Sequence, residues 1–401
     1  MVSFVLSALA FTFAILLATA QSTTPAFSNL YDDEVQMSFS INLPINSTDV
    51  YFSFSAPAYS WVAIGAGNYM AGSLMMIIYG SPDAQGITIS PRIATGHTEP
   101  TFTTDVQVEV LDGTSIQNNL YVLNALCHGC RSWKGGSLNL NTTVQPFMYA
   151  FGPNIIASSD SPTLGLRRHY SFGHFTMDMI QATGPGSVPP AASTIKRGAA
   201  LAGSLKKDGD KASPTHGILM IIVALILIPF DVIIVGVCKW MRPHILISSF
   251  SFLVVITSMG LGIYVSTEYN RSKTFNTPHQ IIGFISILGL LFIAGLGIYS
   301  RQLQNKASKI DVDTFAPPAK SSSLLFSTIH SWTARLIWLL LIVNNGIGMK
   351  FASTSRKFVV IYAILAVLVF FAMWPVYYCI FRRERKKRVQ QDENSGGFAM
   401  T

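Results

Sequence analysis

HGILMIIVALILIPFDVIIVGVC, from His216 to Cys238, is the stretch on which the architecture turns. After its opening histidine it is apolar throughout except for one acid, Asp231. A helix needs about 20 such residues to cross a hydrocarbon core of roughly 30 Å. Four further runs of the same kind follow, at about His244–Thr267, His279–Ser300, His330–Met349 and Phe358–Phe381. Upstream of His216 the pattern changes. From Phe27 to about Ala182 the chain is built of short alternating runs such as VQMSFSINL, VYFSFSA and VQVEVLDG, broken by Gly, Pro, Asn and Asp about every ten residues. That period and spacing predict a β-sandwich. The fold class expected is therefore two-part: an exported all-β sandwich followed by an all-α bundle of five transmembrane helices.

The remaining segments complete this organisation. Residues 1–20, MVSFVLSALAFTFAILLATA, end in Ala18-Thr19-Ala20 and read as a secretory signal peptide. The exported domain then spans 21–182. Residues 183–213 are rich in Gly, Pro, Ala, Ser and Lys and predict a flexible tether, because they offer little apolar surface to bury. The membrane part spans 214–381, and 382–401 form a basic cytoplasmic tail.

Only 12% of the 401 residues are charged, about half the globular average of roughly 25%. The net charge of +8 does not indicate a nucleic-acid partner. Much of it lies in the tail RRERKKRVQQ and in the loops of the membrane half. Five helices after an exported N-terminal domain place the C-terminus in the cytoplasm. The first and third loops then carry Lys239, Arg242, Arg301, Lys306, Lys309 and Lys320 inside, together with the tail cluster Arg382 to Arg388. Arg271, Lys273, Lys350, Arg356 and Lys357 lie outside, so the excess is cytoplasmic, as the positive-inside rule expects. The three glycosylation sequons, at Asn46, Asn141 and Asn270, fall on the outer side of this topology. A multi-pass membrane protein is expected, with its β-domain extracellular or lumenal.

Cys127 and Cys130 form a C-x-x-C pair in ALCHGCRSW. Such a pair can serve zinc, thiol redox chemistry or a short-loop disulfide. No second pair or ligand-spaced histidines follow, and an oxidising compartment favours the disulfide.

Four of the eight histidines stand at the starts of four consecutive apolar runs: His216, His244, His279 and His330. An ionisable residue in a membrane segment is costly and marks function. The alternating helix directions sort them into an outer pair, His216 with His279, and an inner pair, His244 with His330. Two imidazoles facing each other across a bundle can hold a haem iron from both axial sides. Zinc fits less well, since each pair lacks further ligands.

With these positions, and with HQIIGFISILGLLFIAGLGI and HSWTARLIWLLLIVNNGIGM following two of them, residues 214–381 resemble the transmembrane cytochrome b561 family. The resemblance implies two b-type haems, one on each histidine pair. The family's H-x-x-x-G-R motif reads His330-Ser-Trp-Thr-Ala-Arg335 here, with Ala334 in place of glycine.

In the exported half, WVAIGAGNYMAGSLMMIIYG, SPRIATGHTEPT, ALCHGCRSWKGGSLNL and LRRHYSFGHFTMDM follow one another in an order that resembles the DOMON-type cytochrome domain of fungal cellobiose dehydrogenase. That resemblance implies a third haem b, held by Met70 in GAGNYM and His169 before YSFG, and pairs Cys127 with Cys130 as the family's short disulfide. Met75 and Met76 compete with Met70 but sit in an apolar strand and read as core. His174 falls on the opposite strand face from His169, because odd separations change faces. His97 and His128 read as surface or turn residues.

These readings converge on an electron conduit. A cytoplasmic small-molecule reductant, ascorbate by resemblance, would supply electrons to an extracellular acceptor such as ferric iron or a secreted copper or flavin enzyme. No residue pattern identifies a pocket for covalent chemistry, so a redox carrier is expected, and a ferric-reductase activity stays open. The alternatives are an anchored glycan- or haem-binding sensor, and a proton transporter using Asp231.

Overall fold

A computed structural model describes residues 25–83, 86–313 and 320–396; the expected signal peptide at 1–20 lies outside them. The chain divides into two units, 1–209 and 210–401.

The first unit is an antiparallel β-sandwich. Its strands are β1 (Ser28–Asp32), β2 (Met37–Pro44), β3 (Val50–Pro57), β4 (Val62–Ala66), β5 (Leu74–Gly80), β6 (Ile87–Ile93), β7 (Thr101–Phe102), β8 (Gln107–Val110), β9 (Ser115–Gln117) and β10 (Leu120–His128). A small ribbon follows, β11 (Ser132–Trp133) with β12 (Gly136–Ser137), and then β13 (Gln145–Phe151) and β14 (Ser171–Met177). One sheet runs β1-β2-β3-β10-β8; the other runs β14-β13-β4-β5-β6-β7.

Phe39, Ile41, Phe52, Phe54, Leu123, Phe147 and Phe175 fill the space between the sheets. Alternation in MSFSINLP and VYFSFSAP puts the aromatic and aliphatic residues inward, since successive side chains point to opposite faces. Met76 packs on this core, whereas Met75 lies on the other face of its sheet, in the cluster that Met70 borders. Cys127 and Cys130 are joined in a disulfide.

The tether expected at 183–213 is not a free linker up to residue 207. It carries β15 (Thr183–Gly184) on β2, and β16 (Ala199–Leu201) and β17 (Lys206–Lys207) on β14. Between them the chain runs as a strap over the outer face of β2 and β3. There the polar residues of the alternating pattern donate to its carbonyls. Ser53 reaches Pro189 at 2.7 Å, Ser40 reaches Pro190 at 3.0 Å, and Asn42 reaches Pro185 at 3.0 Å. Composition misled because the strap is held by hydrogen bonds to buried Ser and Asn side chains rather than by apolar burial.

Among its described residues the second unit holds five helices long and apolar enough to cross a membrane: Ala212–Cys238, Met241–Glu268, Pro278–Lys306, Leu325–Phe351 and Arg356–Arg383. All five expected runs are helical. One expectation needs correction, because His330 does not open its helix. Helix extends back to Lys320, and His330 lies more than a turn inside the apolar span. The Ser/Thr-rich lead-in continues the helix.

The first spanning helix is irregular. It widens into π-turns at Val223–Leu227 and Ile234–Cys238, on either side of Pro229 and Asp231. Proline lacks the N–H that would bond the carbonyl four residues back, and a widened turn is a common accommodation. Trp338 of the fourth helix donates to the Ala224 carbonyl in this region at 2.7 Å.

Candidate functional site

Local sequence aims the membrane histidines. Thr277-Pro278-His279-Gln280 builds a capping box: the Gln280 N–H bonds Thr277 Oγ1 at 3.4 Å, and the Thr277 N–H bonds Gln280 Oε1 at 3.2 Å. Such a box with proline at the first helical position starts a helix sharply, which fixes His279 in the first turn.

Each imidazole is then tied through Nδ1. His216 donates to the Ser258 carbonyl at 2.7 Å, and His330 to the Ile293 carbonyl at 3.0 Å. His279 reaches the main-chain and side-chain oxygens of Asn344 at 3.2 and 3.1 Å. His244 instead meets a carboxylate, Asp231 Oδ1, at 2.9 Å. Carbonyl and carboxylate oxygens only accept, so Nδ1 bears a proton, and in the neutral ring Nε2 then keeps the lone pair. A histidine whose Nδ1–H is anchored in this way is oriented as metal ligands are.

The facing helices leave room for the rings by presenting glycine. A Cβ on Gly348 would lie 2.5 Å from His279 Cε1, one on Gly262 would lie 2.9 Å from His216 Cε1, and one on Gly297 would lie 3.2 Å from His330 Cε1. The His216 and His279 rings are 6.0 Å apart at 80°. Two imidazoles on one metal, each bonded at about 2 Å, bring their ring centres to roughly this separation. His330 lies within electrostatic range of His244 and Asp231. Among the described residues no three His, Cys, Asp or Glu side chains converge as a protein-held ion requires. Paired imidazoles alone suit a metal whose other positions a tetrapyrrole fills.

In the β-domain a second apolar cluster covers the outer face of the β4-β5-β13 sheet. Trp61, Ala63, Met75, Ile77, Met148 and Leu166 contribute, with Met70 at its margin. Met70 lies in the β4–β5 connection, and His169 follows Leu166 by three residues. His169 is largely buried, and its Nδ1 has no hydrogen bond although the Asp208 carboxylate lies 3.4 Å away. Burial pushes this imidazole below the ordinary histidine range, with Asp208 opposing and Arg168 and His97 adding to the fall. Trp61 Nε1 is also buried without a partner. His128 stands in the open between Asp49 and Glu109, at 3.5 and 3.4 Å.

Strand parity does not separate His169 from His174. The strand begins only at Ser171, and the His169 ring packs on Phe172 at 5.1 Å, which in turn meets His174 at 5.9 Å. The three rings form a row on the side away from the core.

Residues 19–186 match the family model for the cytochrome domain of cellobiose dehydrogenase.

That span holds the whole sandwich up to β15, including Met70, His169 and the disulfide, and is under half of the chain. The first unit is thus a cytochrome-like domain and the helices lie beyond the match. The solved structures similar to the chain include two cytochrome domains. The cytochrome b domain of pyranose dehydrogenase from Coprinopsis cinerea is 20% identical, with a TM-score of 0.37 over 39% of this chain and 84% of its own. The cytochrome domain of Myriococcum thermophilum cellobiose dehydrogenase is 20% identical, with a TM-score of 0.28 over 31% of this chain and 66% of its own. No curated protein matches.

Sequence reasoning missed the partners that orient the membrane histidines: Ser258, Asn344, the facing glycines, and above all Asp231, which pairs with a histidine thirteen residues away.

Proposed function

We propose that the chain is a transmembrane electron carrier with three b-type haems. It would link a cytoplasmic one-electron donor of the ascorbate class to an extracellular acceptor, ferric iron or a secreted redox enzyme. The observation that carries this reading is that all four membrane imidazoles are anchored through Nδ1 with Nε2 left free, in a segment where uncompensated polar groups are costly. His216 with His279 would hold one haem, His244 with His330 a second, and Met70 with His169 the third.

The residues fit the group. The helices offer two oriented ligands per site and glycine-lined space beside the rings. The β-domain offers an apolar cluster with unpaired buried nitrogens at its edge. A bound haem supplies a one-electron ferric/ferrous couple whose potential depends on the axial ligands. The protein's own part is to orient the imidazoles, exclude water and hold the centres in fixed places. The family-model match to a cytochrome domain supports the redox reading over an anchored glycan-binding sensor, under which the four anchored histidines have no role.

The test is haem-to-protein stoichiometry with a reduced-minus-oxidised spectrum of the purified chain. Three haems per chain and a b-type α-band are expected. His169→Ala should leave two haems with the membrane signals unaltered. A colourless protein after expression with ample haem would overturn the proposal.

A further inference from the structure

Asp231 is the one acidic residue of the first spanning run, and its surroundings are built. Its Oδ1 accepts from His244 Nδ1 at 2.9 Å and its Oδ2 from Ser248 Oγ at 2.6 Å. The carboxylate is mostly buried. Two π-turns flank it in a helix interrupted by Pro229, and such turns gather at functional positions. The other three membrane imidazoles lean on neutral oxygens: a backbone carbonyl for His216 and His330, and the main-chain and amide oxygens for His279.

We propose that Asp231 is a positioning residue that sets the potential of the His244–His330 site below that of the His216–His279 site. This rests on the haem reading above. A carboxylate accepting the Nδ1 proton makes the imidazole a stronger donor through Nε2 than a carbonyl does. A stronger donor, with a negative charge behind it, favours the ferric over the ferrous state. One reducing equivalent shared by the two membrane sites then rests at the His216–His279 site. Ser248 tempers the effect, because its hydroxyl takes part of the carboxylate's accepting capacity. The asymmetry lies in the protein's side chains and calls for no difference between the two haems.

The experiment is a spectroelectrochemical titration of the purified full chain, with the sites distinguished by His244→Ala and His216→Ala. Asp231→Asn keeps an acceptor but removes the charge. It should raise the lower membrane potential and alter the low-spin electron paramagnetic resonance signal of that site, with the other membrane site unmoved. Asp231→Glu should restore most of the difference. Ser248→Ala should shift the same potential the opposite way, downward, and serves as the measurement if Asp231→Asn fails to fold. Asp231 is merely structural if both membrane potentials stay in place in Asp231→Asn, or in Ser248→Ala where only that variant folds. A wild-type chain without membrane haems is a different result, because it overturns the parent reading as well.

Discussion

At the scale of single residues, the membrane region depends on what is missing opposite His216, His279 and His330 as much as on the histidines themselves. Gly348 is the tightest case, since any Cβ there would fall within 2.5 Å of His279 Cε1. Contacts this close force the ring to move, and the ring is held by Asn344. If the His216–His279 pair holds a haem as proposed, Gly348→Ala should therefore lower the haem content by one per chain, while Gly295→Ala, where a Cβ would meet nothing within 4 Å, should leave it unchanged. Haem content of the two purified variants decides this; equal loss in both, or loss in neither, rules out the packing role. The histidines themselves were readable as rare polar residues in apolar runs. Their glycine neighbours were not, because each lies on another helix and glycine is frequent throughout transmembrane helices.

At the scale of elements, the strap over β2 and β3 shows how a correct strand pattern can carry a second meaning. Ser38, Ser40, Asn42, Ser53 and Ser55 alternate with the core residues in the way of a solvated face, yet all five are buried. Asn42 bonds the carbonyls of Ala26 at 2.6 Å and Pro185 at 3.0 Å, and accepts the Ser187 N–H at 3.1 Å. Asn42→Ala removes all three bonds and leaves strap groups unpaired. At about 1 kcal/mol per bond it should destabilise the β-domain by roughly 2–3 kcal/mol. Denaturant unfolding followed by tryptophan fluorescence measures the change, and the strap should become cleavable by protease under native conditions. A variant as stable and as resistant as the parent would mean the strap is only loosely attached.

At the scale of the whole molecule, the pairing of histidines is the claim with the widest reach. Replacing His216 or His279 by alanine should remove one and the same membrane haem, and replacing His244 or His330 the other. Each should lower the haem content by one of three and leave two distinct difference spectra. If the His216 and His244 variants lose the same spectral component, the pairing is wrong and the assignment of Asp231 to one site falls with it. The 6.0 Å approach of the His216 and His279 rings is the strongest support for the first pair.

What the chain determined unaided is its division into an alternating β-region and five apolar helices, its candidate ligands and its cysteine pair. Those features are local: strand period, helix length and residue rarity can all be read within a few tens of residues. Only the tertiary structure decided that residues 183–207 are bound to the sandwich, that His330 lies inside its helix, that His169 and His174 share a side, and that Asp231 serves His244. All but the place of His330, which follows from a helix that runs on through Ser/Thr-rich sequence, depend on a hydrogen bond or a close approach between separate segments. No period within a single segment encodes such a meeting.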